Sequence, residues 1–150
     1  MLSIIQDTRE QSPLTFNHKY IVDVRIEKLD YGDYGAELGD GRRLPLYFER
    51  KSLNDFWGTL TQGYSRFKQE FARAQAGKAR LIIIVEASLT RIRGGNVYSS
   101  RAPESILYQI FTMQARYGIE TVFCNSPTEV AEYITQVFIA YAKLYAGAQK

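Results

Sequence analysis

The sequence is poor in the residues that cross-link small proteins or carry them across membranes. It has one cysteine, Cys124, and one histidine, His18, so it forms no internal disulfide and no metal site built from several thiolates or imidazoles. Apolar runs such as Leu81–Val85 fall far short of the about 20 residues that cross a bilayer. Four prolines and eleven glycines are too few for collagen or a disordered spacer. We therefore expect a folded protein of a reducing, intracellular compartment whose stability comes from packing.

The residues that are present suit one domain. A length of 150 residues with 45% hydrophobic and 23% charged residues is typical of a single core, so we predict one domain over residues 1–150. The chain begins MLSIIQDTRE, which has neither a basic start nor a long apolar stretch, and we expect no secretion signal. Nineteen Lys and Arg against sixteen Asp and Glu give a net charge of +3, which is compatible with nucleic-acid binding and with many other functions.

The hydrophobic pattern begins with strands and then alternates helices and strands. Predicted strands cover Leu2–Ile5, Ile21–Leu29, Tyr34–Leu38, Leu44–Arg50, Arg80–Glu86 and Ile119–Cys124. Predicted helices cover Ser52–Ala76, with Gly58 and Gly63 as candidate breaks, Pro103–Tyr117, and Ser126 to about Tyr145; Thr90–Arg101 is a predicted loop. This order predicts an α/β fold with a central mixed β-sheet flanked by helices.

A turn signal brings two acidic residues together. The segment Gly39-Asp40-Gly41 predicts a hairpin that pairs Tyr34–Leu38 with Leu44–Arg50. Asp33 then begins one arm where Glu49 ends the other, and directly opposed residues on adjacent strands lie about 5 Å apart. Two unit charges at that separation repel by about 3 kcal/mol at an effective dielectric constant of 20. A cation or a shared proton would compensate them, and oxygen ligands alone favour Mg²⁺ or Mn²⁺ over zinc.

Lys51 adds a positive group to the same face. It follows Glu49 by two residues, and side chains alternate along a strand, so both point the same way. Its ammonium can hold a water or the attacked phosphate, which completes a minimal set for metal-assisted phosphodiester hydrolysis. An aspartate followed at a distance by Glu-x-Lys also occurs by chance, usually at a solvated strand edge. The pattern by itself leaves both interpretations open.

The complete string is much more specific. It consists of Gly32-Asp33, then Glu49-Arg50-Lys51, three residues and Asp55, with Asp7-Thr8-Arg9-Glu10 near the N-terminus. This arrangement resembles the nuclease domain of the XPF family of structure-specific endonucleases, whose pattern is GDx(n)ERKx(3)D. The resemblance covers residues 2–86 by motif and the rest by element order. It implies a restriction-endonuclease-like fold, a Mg²⁺ or Mn²⁺ cofactor, and cleavage of branched, fork or flap DNA in repair and recombination, in the cytoplasm and nucleoid or in a nucleus.

The resemblance also assigns roles to individual residues. It carries a catalytic role onto Asp7, Asp33, Glu49, Arg50, Lys51 and Asp55. Asp33 and Glu49 are the implied metal ligands, and Glu10 is expected to reach the metal through water. Lys51 is expected to orient water or stabilise charge, and Arg50 to position the site. Asp7 and Asp55 either contact the metal directly or pair with Arg9 or Arg50 and only orient the site.

Basic residues surround this acidic set. Outside the five acids and three bases of the matched motifs, sixteen bases and eleven acids remain, a charge of +5 that suits an approaching polyanion. We predict DNA contacts for Arg9, Arg66, Lys68, Arg73, Arg91, Arg93 and Arg101, with Lys78 as a further candidate. Arg66 only approximately matches the arginine that the family often places directly after a glycine on the helix following the ERK strand. A solvated surface role is the alternative for each.

Two features of the sequence bear on which other protein chains this protein binds. The final helix carries an apolar stripe that consists of Val130, Ile134, Val137, Phe138, Tyr141, Leu144 and Tyr145. Part of it covers the sheet, and since related nuclease domains pair through their C-terminal side, we predict a homodimer. Family members commonly carry a tandem helix-hairpin-helix domain, for which this chain leaves no room. A stand-alone nuclease, a fragment, or a partner protein that binds the DNA would each explain that difference.

Two alternatives to a structure-specific nuclease remain. The first is a non-catalytic subunit that recognises branched DNA and positions an active partner, although such subunits usually lose acids from the GD and ERK motifs and none is missing here. The second is an enzyme of the same fold that acts on unbranched DNA, as in restriction or phage-type degradation.

Overall fold

The computed structural model describes residues 1–96 and 99–147, which form one six-stranded sheet with helices on both faces. The strands are β1 (Leu2–Gln6), β2 (Ile21–Ile26), β3 (Tyr34–Leu38), β4 (Leu46–Ser52), β5 (Arg80–Glu86) and β6 (Glu120–Phe123). The helices are α1 (Leu53–Leu60), α2 (Tyr64–Ala76), α3 (Leu89–Arg93), α4 (Pro103–Tyr117) and α5 (Pro127–Gly147). The predicted α/β fold with a mixed sheet is confirmed.

The sheet combines an antiparallel centre with parallel flanks. Its strand order is β2-β1-β3-β4-β5-β6. Strand β3 runs antiparallel to both β1 and β4, whereas β2 is parallel to β1, and β5 and β6 are parallel to β4. The predicted hairpin of β3 and β4 therefore lies in the middle of the sheet, where neighbouring strands hold both arms.

Two apolar cores, one on each face of the sheet, fix β5 and its neighbour β4. Along β5, Ile82 and Ile84 pack with α5, while Leu81, Ile83 and Val85 pack with α1, α2 and α4. Each of these five side chains is at most 2% exposed. The prediction that this isoleucine-rich strand is covered on both faces is confirmed, and its burial resists displacement of the adjacent β4.

Strand β4 shows the predicted alternation of faces. Leu46 and Phe48 are fully buried on the α5 side, where the Phe48 ring meets Phe138 edge to face at 5.1 Å between centroids. Glu49 and Lys51 point to the opposite face. The strand begins at Leu46 rather than at the predicted Leu44, because Pro45 has no N–H to donate to a ladder.

The region after β4 differs from the sequence prediction in two places. Gly58 lies within α1, so only Gly63 separates the two helices, and it precedes the first residue of α2. The predicted loop 90–101 contains the short helix α3, because the Ser88 hydroxyl accepts a hydrogen bond from the Arg91 N–H at 3.1 Å and Ile92 is fully buried. Residues 97 and 98 of that predicted loop lie outside the described residues.

The C-terminal helix begins with the predicted capping motif. The Ser126 hydroxyl accepts from the Glu129 N–H at 3.1 Å, and the Glu129 carboxylate accepts from the Asn125 N–H at 3.3 Å. Most of the predicted apolar stripe packs on the sheet, whereas Leu144 is 69% exposed. Over residues 1–96 and 99–147, no helix combines the length and apolarity needed to cross a membrane.

Candidate active site

The β3–β4 register places Asp33 beside Glu49. Tyr34 pairs with Phe48, and the Asp33 N–H donates to the Phe48 carbonyl at 2.7 Å. The Asp33 carboxylate accepts a hydrogen bond from the Arg50 N–H at 2.8 Å. Asp33 is thus bonded to the residues on both sides of Glu49, so the hairpin brings the two acids together as expected.

Gly32 gives the chain before Asp33 a conformation that other residues rarely adopt. Its φ angle is +76°, and a Cβ atom there would lie 3.1 Å from the Phe48 carbonyl oxygen and 3.1 Å from the Tyr47 Cβ. Both the left-handed conformation and the close approach to β4 favour glycine. The glycine of the Gly-Asp pair therefore has a steric role in placing Asp33 directly before β3.

Lys51 lies directly beside Glu49. Its Nζ atom is 3.3 Å from the Glu49 Oε1, and the Lys51 and Glu49 side chains are 25% and 11% exposed. Among the described residues, Lys51 is the cationic side chain in contact with Glu49, and it is partly exposed to solvent. The predicted shared face of Glu49 and Lys51 follows from strand alternation and is what the structure shows.

Burial and neighbouring acids favour protonation of both acids. Burial raises the pKa of Asp33 to about 6, against the Arg50 N–H and Lys51, which lower it, while Glu10 and Glu70 raise it further. Burial also raises the pKa of Glu49 to about 8, with Asp33 and Glu70 adding to the rise and Lys51 opposing it. The single lysine does not balance this negative charge, so the site stabilises a proton or a bound cation.

The donor set fits a small divalent cation. Mg²⁺ usually keeps several waters and is held by one or two carboxylates together with substrate phosphates, so Asp33 and Glu49 suffice as protein ligands. In the described part of the chain, no group of three or more His, Cys, Asp or Glu side chains forms a complete metal cage. The oxygens of Asp33 and Glu49 match a hard ion that also takes ligands from water and DNA.

Glu10 has partners within the protein. One carboxylate oxygen accepts from the Ser12 N–H at 3.1 Å, and the other lies 3.6 Å from the Arg50 Nη1. Contact between Glu10 and a metal through water stays a prediction.

Asp7 orients the loops around the site. It is fully buried, and its oxygens accept hydrogen bonds from the Leu29 N–H at 2.8 Å, the Arg9 N–H at 3.0 Å and the Arg9 Nε at 2.7 Å. Burial acts to raise the pKa of Asp7, but the hydrogen bonds from Arg9 and Leu29 lower it overall. Of the two alternatives for Asp7, this geometry favours orientation over metal contact. Its backbone N–H also donates to the Asp33 carbonyl at 2.8 Å.

Arg50 and Asp55 lie around the catalytic pair. The Arg50 guanidinium binds Glu86 and the Ser12 carbonyl, so it ties the N-terminal loop to β4 and β5. These contacts are of the kind that a positioning residue makes, and the role of Arg50 in catalysis stays a prediction. Asp55 is exposed in the first turn of α1, where the Ser52 hydroxyl accepts from its N–H at 3.1 Å.

Glu49 and Lys51 line a cleft beside α1 and α2, and Lys51 also borders a second cleft. The first, of about 380 Å³, is lined by Arg9, Glu49, Lys51, Gly58, Thr59, Gly63, Arg66, Phe67 and Glu70. The second, of about 760 Å³, shares Lys51 and Gly58 with the first and is lined otherwise by Asn54, Asp55, Trp57, Thr61, Gln62, Asn96, Ser99, Ser100 and Arg101. Lys51 therefore borders both of these mainly polar clefts.

The predicted DNA-contacting residues fall into two groups. Arg9 and Arg66 line the cleft of Glu49, and Lys68, Arg73, Arg91 and Arg93 are exposed on α2 and α3. Arg101 differs, because its guanidinium donates to the Ser105 hydroxyl at 2.9 Å and the Leu60 carbonyl at 3.2 Å. Arg101 therefore has partners within the protein, and because it also lines the larger cleft, its contact with DNA stays a prediction.

Sequence reasoning missed Glu70. This residue of α2 lines the cleft, and its carboxylate accepts from the Gly32 N–H at 3.0 Å. Its spacing of four residues from Arg66 indicated a shared helix face, but no local signal showed that α2 packs over the Gly32 turn.

The charge of Glu49 should destabilise the protein without metal. Its pKa rises from 4.5 to about 8 on folding, so stability is highest when Glu49 is protonated and falls as the pH rises from about 4.5 through 8. In chelator at pH 8, Glu49→Gln should raise the melting temperature by several degrees, at roughly 2–4 °C per kcal/mol for this size. The gain should shrink at pH 5.

Calorimetry or fluorescence melting checks this, with exposed Glu132→Gln on α5 as the control. Equal melting temperatures of wild type and Glu49→Gln at pH 8 would contradict the assigned electrostatics.

Comparisons with known proteins agree with this geometry. The family model of the ERCC4 domain matches residues 6–137. XPF from Aeropyrum pernix is 24% identical with a TM-score of 0.68, and its structure in complex with DNA is 25% identical with a TM-score of 0.67. Each match covers 99% of this chain, which spans 64% and 66% of those two chains. No curated protein sequence matches. The chain belongs to the ERCC4 domain family and has the restriction-endonuclease-like fold of XPF.

Proposed function

We propose that this protein is a Mg²⁺- or Mn²⁺-dependent DNA endonuclease that acts at branched, fork or flap structures. The observation that carries the proposal is the placement of Asp33, directly before β3, beside Glu49 and Lys51 of β4, whose side chains line a polar cleft. This set contains the ligands and the cationic group that phosphodiester hydrolysis requires. Membership of the ERCC4 domain family supports the same activity.

Each residue has a defined task in the proposed reaction. Asp33 and Glu49 hold the cation, and their backbone contacts across β3 and β4 keep the carboxylates in place. When bound, Mg²⁺ or Mn²⁺ supplies a Lewis acid that polarises the phosphodiester and acidifies a water. The Lys51 ammonium donates to the attacking water or to the phosphate oxygens and stabilises the charge that develops there. In-line attack then leaves a 5′-phosphate and a 3′-hydroxyl.

The proposed DNA contacts follow from the surroundings of the site. Arg9 and Arg66 line the cleft next to Lys51, where they can neutralise phosphates on either side of the bond that is cut. The larger polar cleft continues from Lys51 past Gln62 and Ser100 and offers uncharged donors to a nucleic-acid strand. The structure of XPF from Aeropyrum pernix in complex with DNA supports this substrate class here. A DNA substrate would place the protein in the cytoplasm and nucleoid, or in a nucleus.

We also propose a homodimer, for which helices α4 and α5 supply apolar surface. Tyr108 and Phe111 lie one turn apart on α4 and are 76% and 49% exposed, and Leu144 on α5 is 69% exposed. Since the chain spans about two thirds of the XPF chains, a partner protein could add DNA contacts. Light scattering tests the dimer, and the mass of one chain at tens of micromolar would exclude it.

A substrate panel tests the activity. Wild type with Mg²⁺ should cleave labelled fork, flap or four-way DNA faster than plain duplex, whereas Asp33→Ala and Lys51→Ala should each lose about 10²-fold or more in rate. Lys143→Ala, exposed on α5, is the matched control and should cleave like wild type.

Three outcomes separate the possibilities. Equal cleavage rates on linear and branched DNA would favour an enzyme that acts on unbranched DNA. Binding of branched DNA without metal dependence or turnover would favour a non-catalytic subunit. No cleavage of any substrate, with Asp33→Ala indistinguishable from wild type, would refute the proposed activity.

Arg66 should contribute to binding rather than to chemistry. Removing one phosphate contact should weaken DNA affinity severalfold and reduce the slope of log affinity against log salt by about 1. Fluorescence anisotropy of Arg66→Ala between about 50 and 200 mM salt in Ca²⁺ measures both quantities. An unchanged slope in Arg66→Ala, with the same affinity as Lys143→Ala, would remove Arg66 from the interface.

A further inference from the structure

Glu70 contacts the turn that precedes Asp33. Its Oε1 accepts the Gly32 N–H at 3.0 Å, a contact between residues 38 positions apart in the chain. Gly32 precedes β3, and its N–H is satisfied by the Glu70 side chain rather than by a carbonyl of the neighbouring strand. Helix α2 therefore contacts the turn through this carboxylate.

The Glu70 carboxylate also faces the site. It lines the cleft that contains Glu49 and Lys51, together with Arg9 and Arg66. Its charge raises the pKa values of both Asp33 and Glu49, and it raises the pKa of Arg9. One oxygen is bonded to the turn while the charge acts on both proposed metal ligands, so Glu70 links turn geometry to the electrostatics of the site.

We propose that Glu70 is a positioning residue that holds Asp33 through the Gly32 turn and supplies a third negative charge that strengthens cation binding. The inference rests on the proposed metal-dependent function. Its basis is a general property of metal sites, in which side chains bonded to the ligand-bearing segment orient the ligands and tune the charge of the site. Lys51 contacts Glu49, and Arg9 and Arg66 line the same cleft, yet the charge of Glu70 still raises the pKa of both Asp33 and Glu49, so it favours a cation beside these two acids.

Two substitutions separate the two parts of this role. Glu70→Gln keeps a carbonyl oxygen that can accept the Gly32 N–H but removes the charge. Glu70→Ala removes both. Glu132→Gln, exposed on α5, is the matched control for loss of one acidic charge.

The readout is divalent-cation affinity without DNA. Calorimetric titration with Mn²⁺, and with Ca²⁺ as a second ion, should show about tenfold weaker binding for Glu70→Gln and at least that loss for Glu70→Ala. The Gly32 amide resonance in ¹H–¹⁵N spectra should move less in Glu70→Gln, which keeps an acceptor, than in Glu70→Ala, which removes it. Melting curves of each variant confirm that the affinities refer to folded protein.

The outcomes distinguish this inference from the proposed function. Wild-type affinity in Glu70→Gln would overturn the charge role, and an unmoved Gly32 resonance in Glu70→Ala would overturn the positioning role. If wild type binds Mn²⁺ and cleaves DNA, and both variants bind and cleave like wild type, only the inference about Glu70 fails. If wild type binds neither ion at millimolar concentration, the metal-dependent function fails and the inference fails with it.

Discussion

The repulsion between Asp33 and Glu49 is the interaction around which this structure is organised. Glu49 is buried and Asp33 is partly buried, and backbone hydrogen bonds across the β3–β4 hairpin hold both in place. Holding two carboxylates close together costs free energy in the absence of a counter-charge, because burial removes the water that would stabilise their charged forms. The packing of β4 and the polar contacts of the surrounding loops keep the two carboxylates close together. Such an arrangement favours either a proton or a bound cation at the two carboxylates.

Apolar packing and polar hydrogen bonds both hold the two carboxylates in place. Phe48 anchors β4 in the core beneath α5, and the fully buried strand β5 holds its other edge. Around this apolar frame, polar contacts place the loops: Asp7 bonds the Leu29 N–H, and Arg50 joins Glu86 to the Ser12 carbonyl. These arginine and aspartate residues belong to the recognised motif, yet their contacts are with protein groups. Within the motif, Asp7 and Arg50 are therefore distinct from Glu49 and Lys51, which line the cleft.

Local patterns sufficed for the parts of the structure that depend on neighbours in the chain. Strand alternation predicted the shared face of Glu49 and Lys51, turn residues predicted the hairpin, and the capping motif predicted the start of α5. The errors have non-local causes. Helix α3 forms because Ile92 is buried against distant elements, and Glu70 reaches Gly32 across 38 positions. Arg101 follows a polar, glycine-containing segment that predicts a loop. Its hydrogen bonds to Leu60 of α1 and Ser105 of α4 depend on how these helices pack, which the local sequence does not show.

The central claim is that folding creates a cation site between Asp33 and Glu49, and anomalous diffraction from crystals soaked in Mn²⁺ tests it most directly. The account predicts a peak within about 2.5 Å of a carboxylate oxygen of each of these two residues, with the remaining positions taken by water. The same peak should be absent from Asp33→Ala crystals grown in the same form. A manganese ion bound elsewhere, or no peak between the two carboxylates at millimolar Mn²⁺, would contradict the account.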